Sequence, residues 1–523
     1  MDSEENSLVQ QDKRARIAQQ LNANELQQQN DEPARATPRD LFPQLLGSCL
    51  MYLLVVQAGI AMSFSSVLIT QLSDKKEIDL DTRSASIIAS IWSLSLPIGA
   101  LVSGVVMDKI GRKKTALLIC FPFVFSWLLV SFAQNIETIY VARVISGICT
   151  GLTTAVVVYV AEISSKVTRS GLLCMNSVWV SFGIFLTYSL NYYSMHWRTI
   201  SFAYAVTSSL CIFAVLMVPE SPHWLLVFNK TESEERKRAQ VRASYAWLYK
   251  KQQLAATHYD ELIATNNARL NNTSENDDAS LLENLRKPQV YKPLTILLVL
   301  FLLQQLSGGY VLIFYTLNIF RNLGAEFLKT VDERFALLLV GSIRLLMAVI
   351  AAALAQKCNR KTILYISTVG MGIFAFAASM QMFHIDSSAH SLFLQHDVSV
   401  NVTAVDPSAT SSANNYLLLL SILGYMLFAS LGILVIPWTL ISELYPIKYK
   451  AKFGGSSVAS AYILMSIVLK MFPFALETFS ISIIFILFGS MSFLCGPFIY
   501  FFLPETHKKT FSEIEEYFTG KKE

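Results

Sequence analysis

Charged residues are scarce in this chain of 523 residues, since Asp, Glu, Lys and Arg make up 15% of it, whereas apolar residues make up 53%. A soluble protein of this composition would expose more apolar surface than water tolerates. Long polar segments are also few, and apolar windows of about 20 residues, enough to cross a hydrocarbon core of about 30 Å, recur along the chain. The composition therefore predicts a protein of the lipid bilayer.

Other absences exclude further classes of protein. None of the seven cysteines lies in a predicted outer loop, so no disulfide framework is expected. Residues 1–40 lack the apolar core of a cleavable signal peptide, and we expect a disordered cytosolic tail there. The net charge of +4 is small for this length and argues against a nucleic-acid partner. The sequence has no catalytic triad, phosphate-binding glycine loop or metal-ligand cluster, so we expect neither an enzyme nor a cofactor or metal site.

Twelve apolar windows predict an all-α membrane protein with twelve transmembrane helices. In the first half of the chain the windows cover residues 45–70, 85–107, 115–133, 139–160, 171–188 and 199–218. In the second half they cover residues 294–314, 335–356, 362–382, 416–440, 456–471 and 481–503. Lys and Arg are concentrated in alternate short loops, so the positive-inside rule places these loops and both termini in the cytosol, and we expect the plasma membrane as the location.

Short charged motifs occur twice in the same order, which indicates two related six-helix halves. The repeated pairs are Asp108 and Gln356, Arg112 and Arg360, Glu162 and Glu443, Arg169 and Lys450, and Glu220 and Glu505. The predicted organisation is a tail of residues 1–44, a half of 45–218, a cytosolic linker with short helices at 219–293, a half of 294–503 and a tail of 504–523.

These motifs resemble those of the sugar porter branch of the major facilitator superfamily, which includes glucose facilitators and insect trehalose facilitators. The resemblance covers residues 45–516 and is carried by the runs Pro219-Glu220-Ser221-Pro222-His223-Trp224-Leu225, Pro504-Glu505-Thr506, Gln304-Gln305-Leu306-Ser307-Gly308 and Pro437-Trp438. It implies the major facilitator fold, in which two halves rock about a central site that faces each side of the membrane in turn. His223 departs from the pattern, because the family usually has Arg there.

The resemblance also implies a sugar site, in which Gln304 and Gln305 bond sugar hydroxyls and Trp438 borders the sugar. An unpaired amide in an apolar helix is costly, so both glutamines should in any case face a partner helix or a wet cavity. Elsewhere the family's polar residues are replaced, and Tyr310 stands where the family has Asn. The candidate substrate-binding residues are Ser177, Gln304, Gln305, Tyr310, Arg344, Trp438 and Tyr462.

Arg344 lies near the middle of the eighth predicted span. A guanidinium at that depth costs about 2.5 to 3.5 kcal/mol on insertion scales, and no mid-span carboxylate is available to pair with it. We therefore expect Arg344 to face the central cavity, with water, backbone carbonyls or the rings of Tyr310 and Tyr462 as partners.

Acidic and basic residues at the cytosolic ends of several spans are candidates for a gate that pairs helices when the protein opens outward. They are Asp108, Arg112, Glu162, Arg169, Arg360, Glu443 and Lys450. The alternative is that these residues only end helices at the membrane interface, and both interpretations can hold together. Because exposed pairs contribute only about 0 to 1 kcal/mol each, a network would have to bias the two states.

The predicted function is facilitated diffusion of a sugar, such as a hexose or trehalose, or of a polyol. Proton-coupled members of the family keep an Asp in the first span where this chain has Ala61, so proton symport is disfavoured. The alternatives are a carrier of another solute, such as an anion, and a nutrient sensor that does not transport. The expected partners are a small-molecule substrate and the lipid bilayer, and the oligomeric state stays open.

One sequon lies in a predicted outer loop. Asn401 belongs to the long loop at 383–415, whereas the sequons of Asn229, Asn271 and Asn272 lie in the cytosolic linker. Because glycan is added only on the outer side, we expect a glycoprotein modified at Asn401 alone.

Overall fold

The computed structural model describes residues 40–75, 77–78, 81–165, 168–229, 233–272, 285–322, 332–395, 407–445, 447–507, 509 and 511–519. These residues form helices, and no strand occurs among them. Twelve of the described helical segments are long and apolar enough to cross a membrane, which confirms the prediction of an all-α protein with twelve spans. The predicted glycan site at Asn401 lies outside the described residues.

The twelve spans follow the predicted windows, but most of them are longer. In the first half they are Phe42–Asp74, Arg83–Ile110, Arg112–Ser131, Ile136–Ile163, Gly171–Tyr192 and Trp197–Met217. In the second half they are Pro288–Arg321, Glu333–Lys357, Arg360–Phe383, Asn414–Ile441, Phe453–Thr478 and Ile481–Phe502. The first helix begins at Phe42 and the seventh at Pro288, inside the predicted tail of 1–44 and linker of 219–293. Hydropathy detects only the part of a helix that lies at hydrocarbon depth, and these helices continue into polar surroundings.

Three spans are broken into two helices. The fourth consists of Ile136–Leu152 and Thr154–Ile163, the seventh of Pro288–Leu306 and Gly309–Asn322, and the tenth of Pro407–Leu431 and Ile436–Leu444. In the seventh span the break contains Gly308, whose φ of 81° lies in the left-handed region that glycine adopts without steric cost. The breaks matter because they free backbone carbonyls for bonds to side chains inside the bundle.

The two halves meet along three pairs of spans. The first span packs on the seventh, the second on the eleventh and the fifth on the eighth. The linker contributes the helices Pro222–Val227, Glu234–Leu248 and Gln252–Asn272, and the chain ends with the helix Phe511–Thr519. We call the end of the bundle at which these short helices pack the linker face, and the opposite end, where Asp74 and Glu333 lie, the far face.

Candidate functional site

Two buried glutamines lie just before the break in the seventh span. The side chains of Gln304 and Gln305 are 0% and 1% exposed. Gln304 Nε2 donates to the carbonyl of Ile433, which lies in the break of the tenth span, and Gln305 Nε2 donates to Gln304 Oε1 at 3.4 Å. Gln304 therefore faces a partner span and joins the two breaks, whereas Gln305 bonds its neighbour Gln304.

An aromatic wall begins just after the break of the seventh span, and it consists of Tyr310, Trp438 and Tyr462. Trp438 Nε1 donates to the hydroxyl of Tyr310 at 2.9 Å. The ring centroids of Trp438 and Tyr462 are 5.3 Å apart, and Phe301 packs on the other side of Trp438 at 5.1 Å. Three of the candidate substrate-binding residues are thus brought together in the second half of the molecule.

Arg344 is buried beside this wall, because its side chain is only 2% exposed. It interacts electrostatically with the hydroxyls of Tyr310 and of Tyr188, which belongs to the fifth span. Tyr188 comes from the first half, so the guanidinium lies where the halves meet. The expected neighbour Tyr462 packs on Trp438 instead, and Tyr188 was not anticipated because the sequence does not show which helix faces the eighth span.

Ser177 is half-buried in the fifth span, and its carbonyl accepts a bond from the Ser181 hydroxyl at 2.7 Å. None of the contacts that the structure describes joins its side chain to the aromatic wall. The described contacts therefore join Tyr310, Trp438, Tyr462 and Arg344 of the second half, and the first half contributes Tyr188.

Arg143, like Arg344, is an arginine buried within a span, and sequence analysis missed it. It lies in the fourth span with 1% of its side chain exposed. Its Nη1 donates to the carbonyl of Ala61 at 2.8 Å, and Nη2 donates to the Ser65 hydroxyl. Its guanidinium lies 5.7 Å from the centroid of Trp92. The available signal was an arginine inside the fourth apolar window.

At the linker face of the first half, Arg112 is the centre of a cluster of candidate gate residues. Its Nη2 lies 2.9 Å from Glu162 Oε1 and its Nη1 lies 3.2 Å from Asp108 Oδ1. Ser221 donates to the other oxygen of Glu162 at 2.5 Å. Arg169 is not joined to this cluster by the described contacts, and its guanidinium donates to the carbonyl of Ser164 at 3.2 Å.

The second half repeats this arrangement around Arg360. Its Nη2 lies 3.0 Å from Glu443 Oε1, and Thr506 donates to Glu443 Oε2 at 2.5 Å. Cys174 of the fifth span lies near Arg360 and Glu443, so this cluster borders the other half. The side chain of Lys450 lies outside the described residues.

Two further glutamates cap helices at the linker face, a role that the motifs alone did not show. Glu220 Oε1 accepts the backbone N–H groups of Arg112 at 3.0 Å and Lys113 at 2.9 Å, and thereby closes the first turn of the third span. Burial raises the pKa of Glu220, whereas its backbone N–H donors act in the opposite direction. Glu505 caps the ninth span with both oxygens, since Oε1 accepts the backbone N–H of Arg360 at 3.0 Å and Oε2 that of Lys361 at 3.1 Å.

An ionic bridge joins the two halves at the far face. Arg321, at the end of the seventh span, bonds both oxygens of Asp74 at 2.8 Å, and Asp74 ends the first span. Arg321 also bonds Glu333 at the start of the eighth span, at 3.0 Å. Nearby, the Ser86 hydroxyl lies 3.5 Å from the carbonyl of Lys470 across the halves. The halves are therefore tied together at the far face.

Comparisons with known proteins agree on one family. The family model described as "Sugar (and other) transporter" matches residues 41–518. A facilitated trehalose transporter, Tret1 of Apis mellifera ligustica, is 26% identical over 491 residues, which cover 93% of this chain and 90% of the relative. The sugar transporter ERD6-like 6 of Arabidopsis thaliana is 28% identical over 468 residues, which cover 88% of each chain.

Solved structures show the same fold. The proton:xylose symporter XylE of the major facilitator superfamily, bound to 6-bromo-6-deoxy-D-glucose, has a TM-score of 0.70 at 20% identity, with 92% of this chain and 100% of that chain covered. A partially occluded inward-open conformation of XylE from E. coli has a TM-score of 0.67 at 20% identity, with 89% and 99% covered.

Proposed function

This chain belongs to the sugar (and other) transporter family and is an integral membrane protein with the major facilitator fold, and we propose that it moves a sugar by facilitated diffusion. The observation that carries the proposal is the family match over residues 41–518, which includes both halves and the linker. The proposed substrates are a hexose, a disaccharide such as trehalose, or a polyol. The chain is not an enzyme, since its relatives are transporters.

The proposed mechanism is alternating access about the site between the halves. The Asp74–Arg321 bridge holds the far face closed, whereas the clusters of Arg112 and Arg360 each bond within their own half. We propose that the linker face is cytosolic, that the membrane is the plasma membrane, and that Asn401 alone carries glycan.

The buried Arg143 supports diffusion without proton coupling. In the described spans the carboxylates, such as Asp74, Asp108 and Glu333, lie near the helix ends. Arg143 bonds the carbonyl of Ala61 and a serine hydroxyl instead of a carboxylate. A backbone carbonyl does not titrate, so this site holds no group that could carry a proton across the membrane.

Uptake into proteoliposomes tests the proposal. We expect the purified protein to equilibrate labelled glucose or trehalose across the bilayer, and a proton gradient to leave the final level unchanged. Accumulation driven by a gradient would contradict facilitated diffusion. Sugar binding without any uptake would instead show a sensor that kept the fold.

A further inference from the structure

The guanidinium of Arg344 has no acceptor among the described residues. Its side chain is 2% exposed, and its Nε atom is buried without a hydrogen-bond partner. Its recorded interactions are electrostatic ones with Tyr310 and Tyr188. A guanidinium presents several N–H donors in one plane and cannot lose its charge, so burial without acceptors is strongly unfavourable.

The neighbouring tyrosines are already engaged with other groups. The hydroxyl of Tyr188 donates to the carbonyl of Ile313 at 2.9 Å, and the hydroxyl of Tyr310 accepts Trp438 Nε1 at 2.9 Å. The carboxylates of the described spans lie near the helix ends, far from this depth. Nothing in the described protein therefore neutralises the charge of Arg344.

Arg143 shows that a buried arginine in this fold does not in general lack acceptors. It is as deeply buried as Arg344, but it bonds the carbonyl of Ala61 and the hydroxyl of Ser65 and lies near the ring of Trp92. Its Nε also lacks a partner, but both terminal nitrogens of Arg143 have acceptors within the protein. At Arg344, by contrast, the donors stay free at the contact between the halves, beside Tyr310.

We propose that Arg344 binds the carboxylate of a sugar acid, so that the transported sugar is one that carries a single negative charge. A planar guanidinium matches a carboxylate with two parallel hydrogen bonds, and the bonds are strengthened in surroundings with little water. The aromatic wall of Tyr310, Trp438 and Tyr462 supplies flat apolar faces and a hydroxyl for the sugar ring. The inference rests on the proposed transport of a sugar, and it adds the chemical class of that sugar.

A monoanion fits this site better than a phosphate ester. A phosphate group carries nearly two negative charges at neutral pH and is commonly bound by more than one basic group. Arg344 interacts with two tyrosines and with no second cation among the described residues. The same donors could take a free monovalent anion that binds beside a neutral sugar, and the experiment separates these two sources.

The test compares labelled glucuronate with labelled glucose in proteoliposomes that contain the wild type, Arg344→Asn or Arg344→Lys. Charged hydrogen bonds of this kind contribute enough that Arg344→Asn should raise the KM for glucuronate about tenfold to a hundredfold, while glucose uptake persists. Arg344→Lys keeps the charge and should retain most of the preference for glucuronate. Lys470→Asn, which removes an exposed positive charge near the far face, is the matched control and should change neither KM.

A binding measurement guards against a variant that only misfolds. Glucuronate should raise the thermal unfolding temperature of the wild type and of Lys470→Asn, but not that of Arg344→Asn, provided that the three unliganded proteins unfold at similar temperatures. Glucose uptake is also measured in chloride and in sulfate buffer. Wild-type uptake that requires chloride, together with chloride-independent uptake by Arg344→Asn, would show that a free anion occupies the site and would overturn the sugar-acid proposal.

Two results separate this inference from the proposed function. If the wild type carries glucose, and glucuronate neither enters nor competes, then Arg344 does not select a sugar acid although sugar transport stands. If the folded wild type moves neither glucose, trehalose nor glucuronate, then sugar transport itself fails and the sugar-acid inference fails with it.

Discussion

The linker-face clusters of the two halves are nearly equivalent, but they differ in the number of counter-ions. Arg112 and Arg360 each bond a glutamate of their own half, and the first turns that they begin are capped by Glu220 and Glu505. In the first half Asp108 adds a second carboxylate 3.2 Å from Arg112. The second half has Gln356 at the equivalent position.

The difference is confined to one carboxylate. Arg112 has both Asp108 and Glu162 within 3.2 Å, whereas Arg360 bonds Glu443 and is also attracted by Glu505. Cys174 of the other half lies near Arg360. We infer that duplication preserved the paired arginine and glutamate, and that only the first half kept an acidic residue four positions before the arginine, which partly compensates there for a loss of the glutamate.

The largest effect is expected for Glu443→Lys. It places a cation beside the buried guanidinium of Arg360, and breaking such a buried pair costs about 3 to 5 kcal/mol. We expect sugar uptake to fall by more than about tenfold, because roughly 1.4 kcal/mol already corresponds to a factor of ten. Membrane delivery should persist, as measured by surface labelling.

Glu162→Lys is the matched change in the first half and should reduce uptake less, because Asp108 still neutralises Arg112. Equal losses for the two variants would remove the proposed asymmetry. If Glu443→Lys reaches the membrane and takes up sugar at the full rate, the gate interpretation is wrong, and these residues only end helices at the membrane interface.

The capping glutamates should contribute alike, since each accepts two backbone N–H groups at a helix start, Glu220 with one oxygen and Glu505 with both. Glu220→Ala and Glu505→Ala each remove these acceptors, and loss of a cap costs about 0.5 to 2 kcal/mol. We expect similar decreases in the thermal unfolding temperature of the two purified variants. A decrease confined to one half would show that the caps are not equivalent.

Gln356→Asp should make the second cluster resemble the first. It supplies a carboxylate four residues before Arg360, as Asp108 does for Arg112, and a partly exposed pair of this kind contributes about 0.3 to 0.5 kcal/mol. We expect a small rise in unfolding temperature and partial rescue of uptake in Glu443→Gln. No rescue in the double variant would mean that the missing carboxylate does not explain the difference.

The smallest effect is expected at the far face, where Arg321 bridges the halves in partly exposed surroundings. Arg321→Gln removes the pairs with Asp74 and Glu333, and of these only the pair with Asp74, worth about 0 to 1 kcal/mol, joins the halves, so uptake should change less than about fivefold. The wild type should also be more sensitive to salt than the variant, because salt screens the exposed bridge. The measurement is the uptake of the wild type and of Arg321→Gln at low and at high ionic strength. An identical salt dependence of the two proteins would show that the bridge does not bias the two states.

Much of the fold could be predicted because the bilayer imposes a simple rule on the sequence. A spanning helix needs a long apolar run, so twelve windows gave twelve spans, and the duplicated motifs identified equivalent ends of the two halves. Helix ends were less predictable, as in the eleventh span, whose helix runs from Ile447 to Thr478 although hydropathy indicated residues 456–471. The candidate site was only partly predictable. The roles of Tyr188 and Arg143 depend on which helices pack against them, and the sequence does not show this packing.

The sequence by itself determined the class of protein, the number of spans, the family motifs and the presence of a charge at Arg344, since each follows from residue type and spacing along one chain. Tertiary structure decided which groups meet. It bonded Gln304 to Ile433 in a break of another span, paired Arg321 with Asp74 across the halves, and left Arg344 without an acceptor while Arg143 received two. The physical reason is that a hydrogen bond or ion pair depends on distances of about 3 Å between helices, and hydropathy along a chain carries no information about those distances.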